Sequence, residues 1–461
     1  MKEKYAYIKI LLEITKEREI YMKERGILLP IFSLPSKYGI GDFGYEAYEF
    51  IDILSENHIE YWNILPIFYC EDLPYSPLSY YAIDDDYISL DKLIEYGLID
   101  EAEQRPSSDK VIYDNFKQKY FKIAFERFVP SEGYNEFIKQ EEIQEFADFM
   151  ASEREEPKEY FLFLQYIAYK EWMEIKEYAN SKGVRIIGDM PVYPPFRSVD
   201  TKYHPENFEM KDGKFTWEAG TPPDYYNSEG QKWNSPVYNV EYMKEHNFDY
   251  LIRRYKYNLK LFDRLRIDYF RGYDSFYRIP YGRPGSEGEY HDGVSYAFFD
   301  ELFKDGSIRV DELIIEDLGD IREETKALRR HYGFTRQKIL QFALDLDNYY
   351  DMDNYSENVV ILPGNHDCST VYGWYKSLDD RRKEELKEFL RRNECYDINV
   401  NIGIMQYIRK CKANIAIIQV QDILGLDDSA RINRPGTSAD ENWTWKLVDF
   451  EALRREIKYF N

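Results

Sequence analysis

Short runs rich in Ile, Val and Leu recur along the chain, each followed by a polar stretch and then by a helical pattern. Eight such runs stand out as candidate strands: Gly26–Phe32, Tyr61–Ile67, Val184–Met190, Leu265–Phe270, Leu313–Glu316, Lys338–Phe342, Asn358–Leu362 and Ile415–Val420. Most are continuously apolar rather than alternating, which marks parallel strands covered on both faces. Helical stripes lie between them. Ala47, Phe50, Ile51 and Leu54 form one; Phe161, Leu164, Ala168, Trp172 and Ile175 form another, which Gly183 stops just ahead of the third strand. Leu251, Tyr255, Leu259 and Phe262 precede the fourth strand, and a charged helix from Ile321 to Tyr332 ends at Gly333. Eight strands alternating with helices predict an α/β chain folded as a (β/α)8 TIM barrel.

The spacing of the strands is uneven, and the long gaps predict insertions. Residues 1–25 precede the first strand and are expected to form a helical extension. Residues 90–182 are acidic, aromatic and helix-like, and predict a largely helical subdomain inserted in one barrel connection. Residues 191–245 are rich in Pro, Gly, Tyr and Trp, and predict a long functional loop region in the next. No internal period of repeat-protein length is present, so all 461 residues are expected to form one barrel unit with these additions.

Composition narrows the partners. The 85 acidic residues outnumber the 61 Lys and Arg, leaving a formal net charge of −24. Such a surface repels polyphosphate, so no nucleic-acid partner is expected. No apolar run is long enough to span a membrane, and the charged N-terminal stretch makes a poor signal peptide. Cys70, Cys368, Cys395 and Cys411 are widely separated, which reads as reduced thiols of a cytoplasmic protein. The acidic run from Asp345 to Asp353 lacks the glycine of a calcium loop, and no metal or other cofactor is expected. Tyrosine is abundant, with 44 copies. Most of that excess is compositional, but part of it offers stacking surface for a flat ligand such as a sugar.

Three acids follow apolar strands at the end where such barrels carry their chemistry: Asp268, Glu316 and Asp367. Residues two apart on a strand share a face, so Arg266 is expected beside Asp268, holding it ionised as a nucleophile must be. Glu316 emerges from an apolar strand, where desolvation and nearby acids favour the protonated form a general acid needs. A carboxylate nucleophile with a carboxylic acid is the equipment of a retaining glycosidase. His366 beside Asp367 suits gripping vicinal sugar hydroxyls.

At these residues the chain resembles a known family, the 4-α-glucanotransferases (amylomaltases, disproportionating enzymes) of glycoside hydrolase family 77. The resemblance runs from RGILLPIFSLPSKYGIGDFG (Arg25–Gly44) through YWNILPI (Tyr61–Ile67), GDMPVY (Gly188–Tyr193), RIDYFRGY (Arg266–Tyr273), IIEDLGDI (Ile314–Ile321), ILQFAL (Ile339–Leu344) and NHDCSTVYGWY (Asn365–Tyr375) to QDILGLDDSARINRPG (Gln421–Gly436). It implies Asp268 as nucleophile, Glu316 as acid and base, and Asp367 as transition-state stabiliser. It also implies that Arg266 contacts the nucleophile, that His366 binds hydroxyls and that Tyr75 stacks on the sugar at the cleavage site. Asp224, Tyr225 and Trp233 resemble the acceptor-side segment. The implied substrates are maltooligosaccharides and α-1,4-glucans. The chain departs from the family where Tyr269 replaces the usual His after the nucleophile and Cys368 replaces the usual Asn after the His–Asp pair. From the residues alone, a hydrolase on the same site and a non-catalytic glucan-binding protein stay open beside the transferase.

Overall fold

The computed structural model describes residues 23–71, 73–223, 229–319, 321–345, 358–437 and 441–460. Most of the expected N-terminal extension, Asp224, Tyr225 and most of the acidic run from Asp345 to Asp353 lie outside the described residues.

Eight parallel strands close into a barrel: β1 (Glu24–Leu28), β2 (Tyr61–Asn63), β3 (Arg185–Met190), β4 (Arg264–Ile267), β5 (Leu313–Ile315), β6 (Thr335–Ile339), β7 (Val359–Leu362) and β8 (Ile415–Gln419). Each pairs with its neighbours in chain order, and β1 closes the ring against β8 with Glu24 opposite Ile415 and Leu28 opposite Gln419. The apolar runs explain the closure. Every residue of β7 and of β8 is buried, so both faces of these strands are covered.

The sixth strand corrects the sequence expectation. It begins at Thr335 rather than Lys338, and the apolar stretch after it is the helix Leu340–Asp345. Thr335, Gln337 and Ile339 point inward and Arg336 and Lys338 are half-buried, so the strand alternates instead of running apolar. The polar inward residue has a partner that only the fold supplies, since Gln337 accepts a hydrogen bond from Arg266 of β4 at 3.2 Å.

The helices fall where the stripes place them. Tyr45–Glu56 buries Ala47, Phe50, Ile51 and Leu54. The helix Lys158–Ser181 buries Phe161, Leu164, Ala168, Trp172 and Ile175, and Gly183 follows it with φ +80°. Trp172 donates its indole N–H to the Leu261 carbonyl at 3.1 Å, tying this helix to the one that leads into β4. Gly188 in β3 allows that region to pack closely, because a Cβ there would sit 2.2 Å from the Phe262 ring.

Between β2 and β3 the described residues form five α-helices, from Leu90–Glu95 to Lys158–Ser181, after the short 3-10 helix Asp85–Tyr87. The segment after β3 contains more than loop. Its strands Trp217–Thr221 and Gln231–Pro236 join Ser275–Pro280 and Glu289–Asp292 in a four-stranded antiparallel sheet. Among the described residues, no helix is long and apolar enough to cross a membrane.

Candidate active site

The C-terminal ends of the strands converge on a cleft of about 930 Å³, lined by Tyr75, Trp233, Asp268, Glu316, His366 and Asp367 among others. The fold thus gathers six side chains that lie far apart in the sequence. Asp268 and Glu316 each follow the last residue of a barrel strand, β4 and β5.

Arg266 lies beneath the cleft and organises it. Its side chain is 5 % exposed, and its Nη1 meets Asp189 Oδ1 at 2.6 Å and Asp268 Oδ1 at 3.0 Å, while Nη2 meets Glu316 Oε1 at 3.1 Å. The predicted neighbour of Asp268 is therefore shared among three carboxylates. Burial pushes the Asp268 carboxyl well up; Arg266 opposes this, and Glu316, Asp189 and Asp367 reinforce it. One guanidinium is thus divided among three close carboxylates, and for Asp268 the burial and the neighbouring acids outweigh it. Arg266 stands beside Asp268 as expected, but its pull toward the ionised form is outweighed by burial and by the acids around it.

The second oxygen of Glu316 accepts the backbone N–H of Tyr269 at 2.7 Å. The next residue, Asp317, is buried and paired with Arg329 and, at 3.7 Å, with Arg336, which pins the segment that carries Glu316.

Asp367 sits in a different environment. Asn433 donates to its Oδ1 at 2.7 Å and His366 Nε2 stands 3.4 Å from its Oδ2. Burial works to raise its pKa, but the charge and hydrogen bond of His366 and the bond from Asn433 override it and bring it down to about 2. Arg431 donates to the Asp367 carbonyl, and Asn365 Oδ1 accepts the Asp367 N–H at 3.1 Å, so the loop is clamped on both sides.

Tyr75 forms one wall. Its hydroxyl donates to Asp189 at 2.6 Å, its ring stacks on His366 with centroids 4.9 Å apart, and Trp233 stands edge-on to Tyr269 elsewhere in the cleft, centroids 4.8 Å apart. Trp443 completes an aromatic group with Tyr75 and His366, at 5.9 and 6.0 Å. Cys368 is buried, and burial pushes its thiol up to about 12, with its S–H on Asn365. It is a packed, unreactive thiol. Among the described residues, no three His, Cys, Asp or Glu side chains gather to hold a metal ion.

Sequence reasoning missed Asp189, Gln337, Asn433 and Trp443. Asp189 carried a signal, a carboxylate inside the apolar run Ile186-Ile187-Gly188-Asp189-Met190. Buried there, a carboxylate must have a cationic partner. The other three have no local signal, since their partners come from distant parts of the chain.

Comparison with known proteins bears on the whole chain. A sequence model of the family described as 4-alpha-glucanotransferase matches residues 29–159 and 151–451. A 4-alpha-glucanotransferase of Aquifex aeolicus is 32 % identical over 478 residues, covering 95 % of this chain and 98 % of its own. One from Clostridium butyricum is 34 % identical over 471 residues, covering 91 % and 95 %. The solved amylomaltase of Streptococcus agalactiae in complex with acarbose superposes with a TM-score of 0.87 at 29 % identity, over 95 % of this chain and 98 % of that one.

Proposed function

The chain belongs to the 4-alpha-glucanotransferases of glycoside hydrolase family 77, and from that premise we propose how its own residues carry out the transfer. The substrates are maltooligosaccharides and longer α-1,4-glucans. The observation that carries the reading is the buried guanidinium of Arg266, which pairs with both Asp268 and Glu316 at the floor of the cleft.

In the first step Asp268 attacks the anomeric carbon, and the bonding pair of the glycosidic link leaves with its oxygen. Glu316 gives that oxygen its proton, the shortened glucan departs, and a covalent β-glucosyl ester remains on Asp268. In the second step the 4-hydroxyl of another glucan attacks the same carbon. Glu316, now the base, takes the hydroxyl proton, and the ester pair returns to Asp268. Two inversions retain the α configuration. The reaction needs a proton on Glu316 at the start, and Arg266 stabilises the charge on Asp268.

Asp367 is suited to a different task. Held ionised by His366 and Asn433, it grips ring hydroxyls and strengthens its hold as the sugar flattens toward an oxocarbenium ion. Tyr75 offers a stacking face for that sugar, and Trp233 a face for the acceptor. Transfer outcompetes water when the acceptor is oriented and the site is dry. Asp224 and Tyr225 complete this acceptor side in our reading. All four cysteines are free thiols, which fits the reducing cytoplasm.

Incubation with maltotriose alone tests the reading. Transfer yields glucose and longer chains at a constant number of reducing ends. A steady rise in reducing ends makes the protein a hydrolase, and binding without products makes it a non-catalytic glucan binder.

A further inference from the structure

We propose that Tyr269 is a positioning residue for Glu316: its backbone N–H, aimed by a left-handed turn directly after Asp268, holds one oxygen of the acid, and its ring anchors that turn to Trp233. The proposal rests on the reading of Glu316 as the acid and base.

Tyr269 adopts φ +48°, a conformation that bulky residues rarely enter. Such strain persists only where the surroundings over-determine it, and it gathers at working sites. Three contacts over-determine it here. The ring stands edge-on to Trp233 at 89°, centroids 4.8 Å apart. The Tyr269 carbonyl accepts the Gly272 N–H at 2.9 Å. The ring also lies over Gly272, where any Cβ would come within 2.8 Å of it, so the turn requires glycine at that position.

The product of this strain is a donor in the right place. The Tyr269 N–H meets Glu316 Oε2 at 2.7 Å while Arg266 takes Oε1 at 3.1 Å. The carboxyl is gripped at both oxygens, which fixes its plane toward the cleft. The other charged groups around it are Asp268 after β4, Asp189 of β3 behind Arg266, His366 and Asp367 after β7, and Asp317 with Arg329 and Arg336 beside it. Among the described residues, Arg266 and the Tyr269 N–H are its two donors.

A hydrogen bond to the charged form lowers proton affinity. Losing the Tyr269 N–H should therefore move the alkaline limb of kcat, which reports the acid in the complex, to higher pH. It should also lower kcat more than it raises KM, because a loosely held acid misaligns proton delivery rather than glucan binding.

Two variants separate backbone from ring. Both Y269A and Y269G delete the contact with Trp233. Glycine accepts φ +48° freely and keeps the N–H in place, whereas alanine without the ring's anchorage is driven out of the left-handed region. Maltotriose disproportionation is measured against pH for wild type, Y269A, Y269G and Y269F. The alkaline limb should shift up by roughly half a pH unit or more in Y269A and stay at the wild-type position in Y269G and Y269F. A limb that stays put in Y269A, or that moves equally in Y269A and Y269G, overturns the proposal. A wild-type protein that transfers nothing at any pH overturns the transferase reading instead.

Discussion

Deleting the carboxylate of Asp189 tests whether the ion network beneath the cleft is a structural keystone. Its side chain is 1 % exposed, and its two oxygens receive Arg266 Nη1 at 2.6 and 2.8 Å and the Tyr75 hydroxyl at 2.6 Å. Asp189→Ala removes both partners' acceptor at once. A hydrogen bond to a charged group contributes about 1.5–3 kcal/mol, so two lost bonds give about 3–6 kcal/mol. Breaking a buried ion pair from one side costs about 3–5 kcal/mol, which agrees. Arg266 keeps Asp268 at 3.0 Å and Glu316 at 3.1 Å, so its charge is not left bare. The loss should therefore fall near the lower end, about 3 kcal/mol. Asp189→Asn keeps the shape and one acceptor oxygen, and should lose about half as much. Equilibrium unfolding in urea, followed by tryptophan fluorescence, measures both variants. A loss in Asp189→Ala of less than about 1 kcal/mol would mean that Asp268 and Glu316 satisfy Arg266 unaided, refuting the reasoning.

Other expectations follow from the same geometry. Asp268→Asn should abolish turnover and leave the circular dichroism spectrum unchanged. Because burial raises the Asp268 pKa in the folded state, its ionisation opposes folding as pH rises through that value, so the Asn variant should melt at or above wild type at neutral pH. A near-normal rate would remove Asp268 from the nucleophile's role. Asp367 behaves in the opposite sense. Its folded pKa of about 2 lies below the unfolded value, so its stabilisation is complete above roughly pH 4 and is lost as pH falls toward 2. Asn433→Ala removes the donor at 2.7 Å and should move the acid-unfolding midpoint to higher pH; an unmoved midpoint contradicts the assignment. Gly188→Ala forces a Cβ to within 2.2 Å of the Phe262 ring, and should lower stability by about 1–3 kcal/mol in the same urea assay.

How much of this was legible in the sequence depended on whether a residue's partner was local. Strands such as β7 and β8 were plain because burial on both faces makes an uninterrupted apolar run. The sixth strand was misplaced by three residues because Gln337 is polar for the sake of Arg266, on a strand two places away. Asp268, Glu316 and Asp367 were visible as acids after apolar runs, and the i, i+2 rule put Arg266 beside Asp268. The same rule could not show that Asp189 and Glu316 share that guanidinium. Asn433 and Trp443 come from the irregular segment after β8, where no periodicity marks them. The Tyr269 side chain drew attention as a departure from the family, but the structure gives its working contact to the backbone.

The most direct test of the double displacement is to catch its intermediate. A Glu316→Gln variant cannot protonate a leaving glucan, but fluoride leaves a maltosyl fluoride without that proton. The ester formed on the nucleophile then waits for a base the variant lacks. Rapid acid quenching, proteolysis and mass spectrometry should find the maltosyl group on the peptide carrying Asp268. An adduct on the peptide of Asp367 or Asp189, or turnover of the fluoride with no adduct on any carboxylate, would contradict the account.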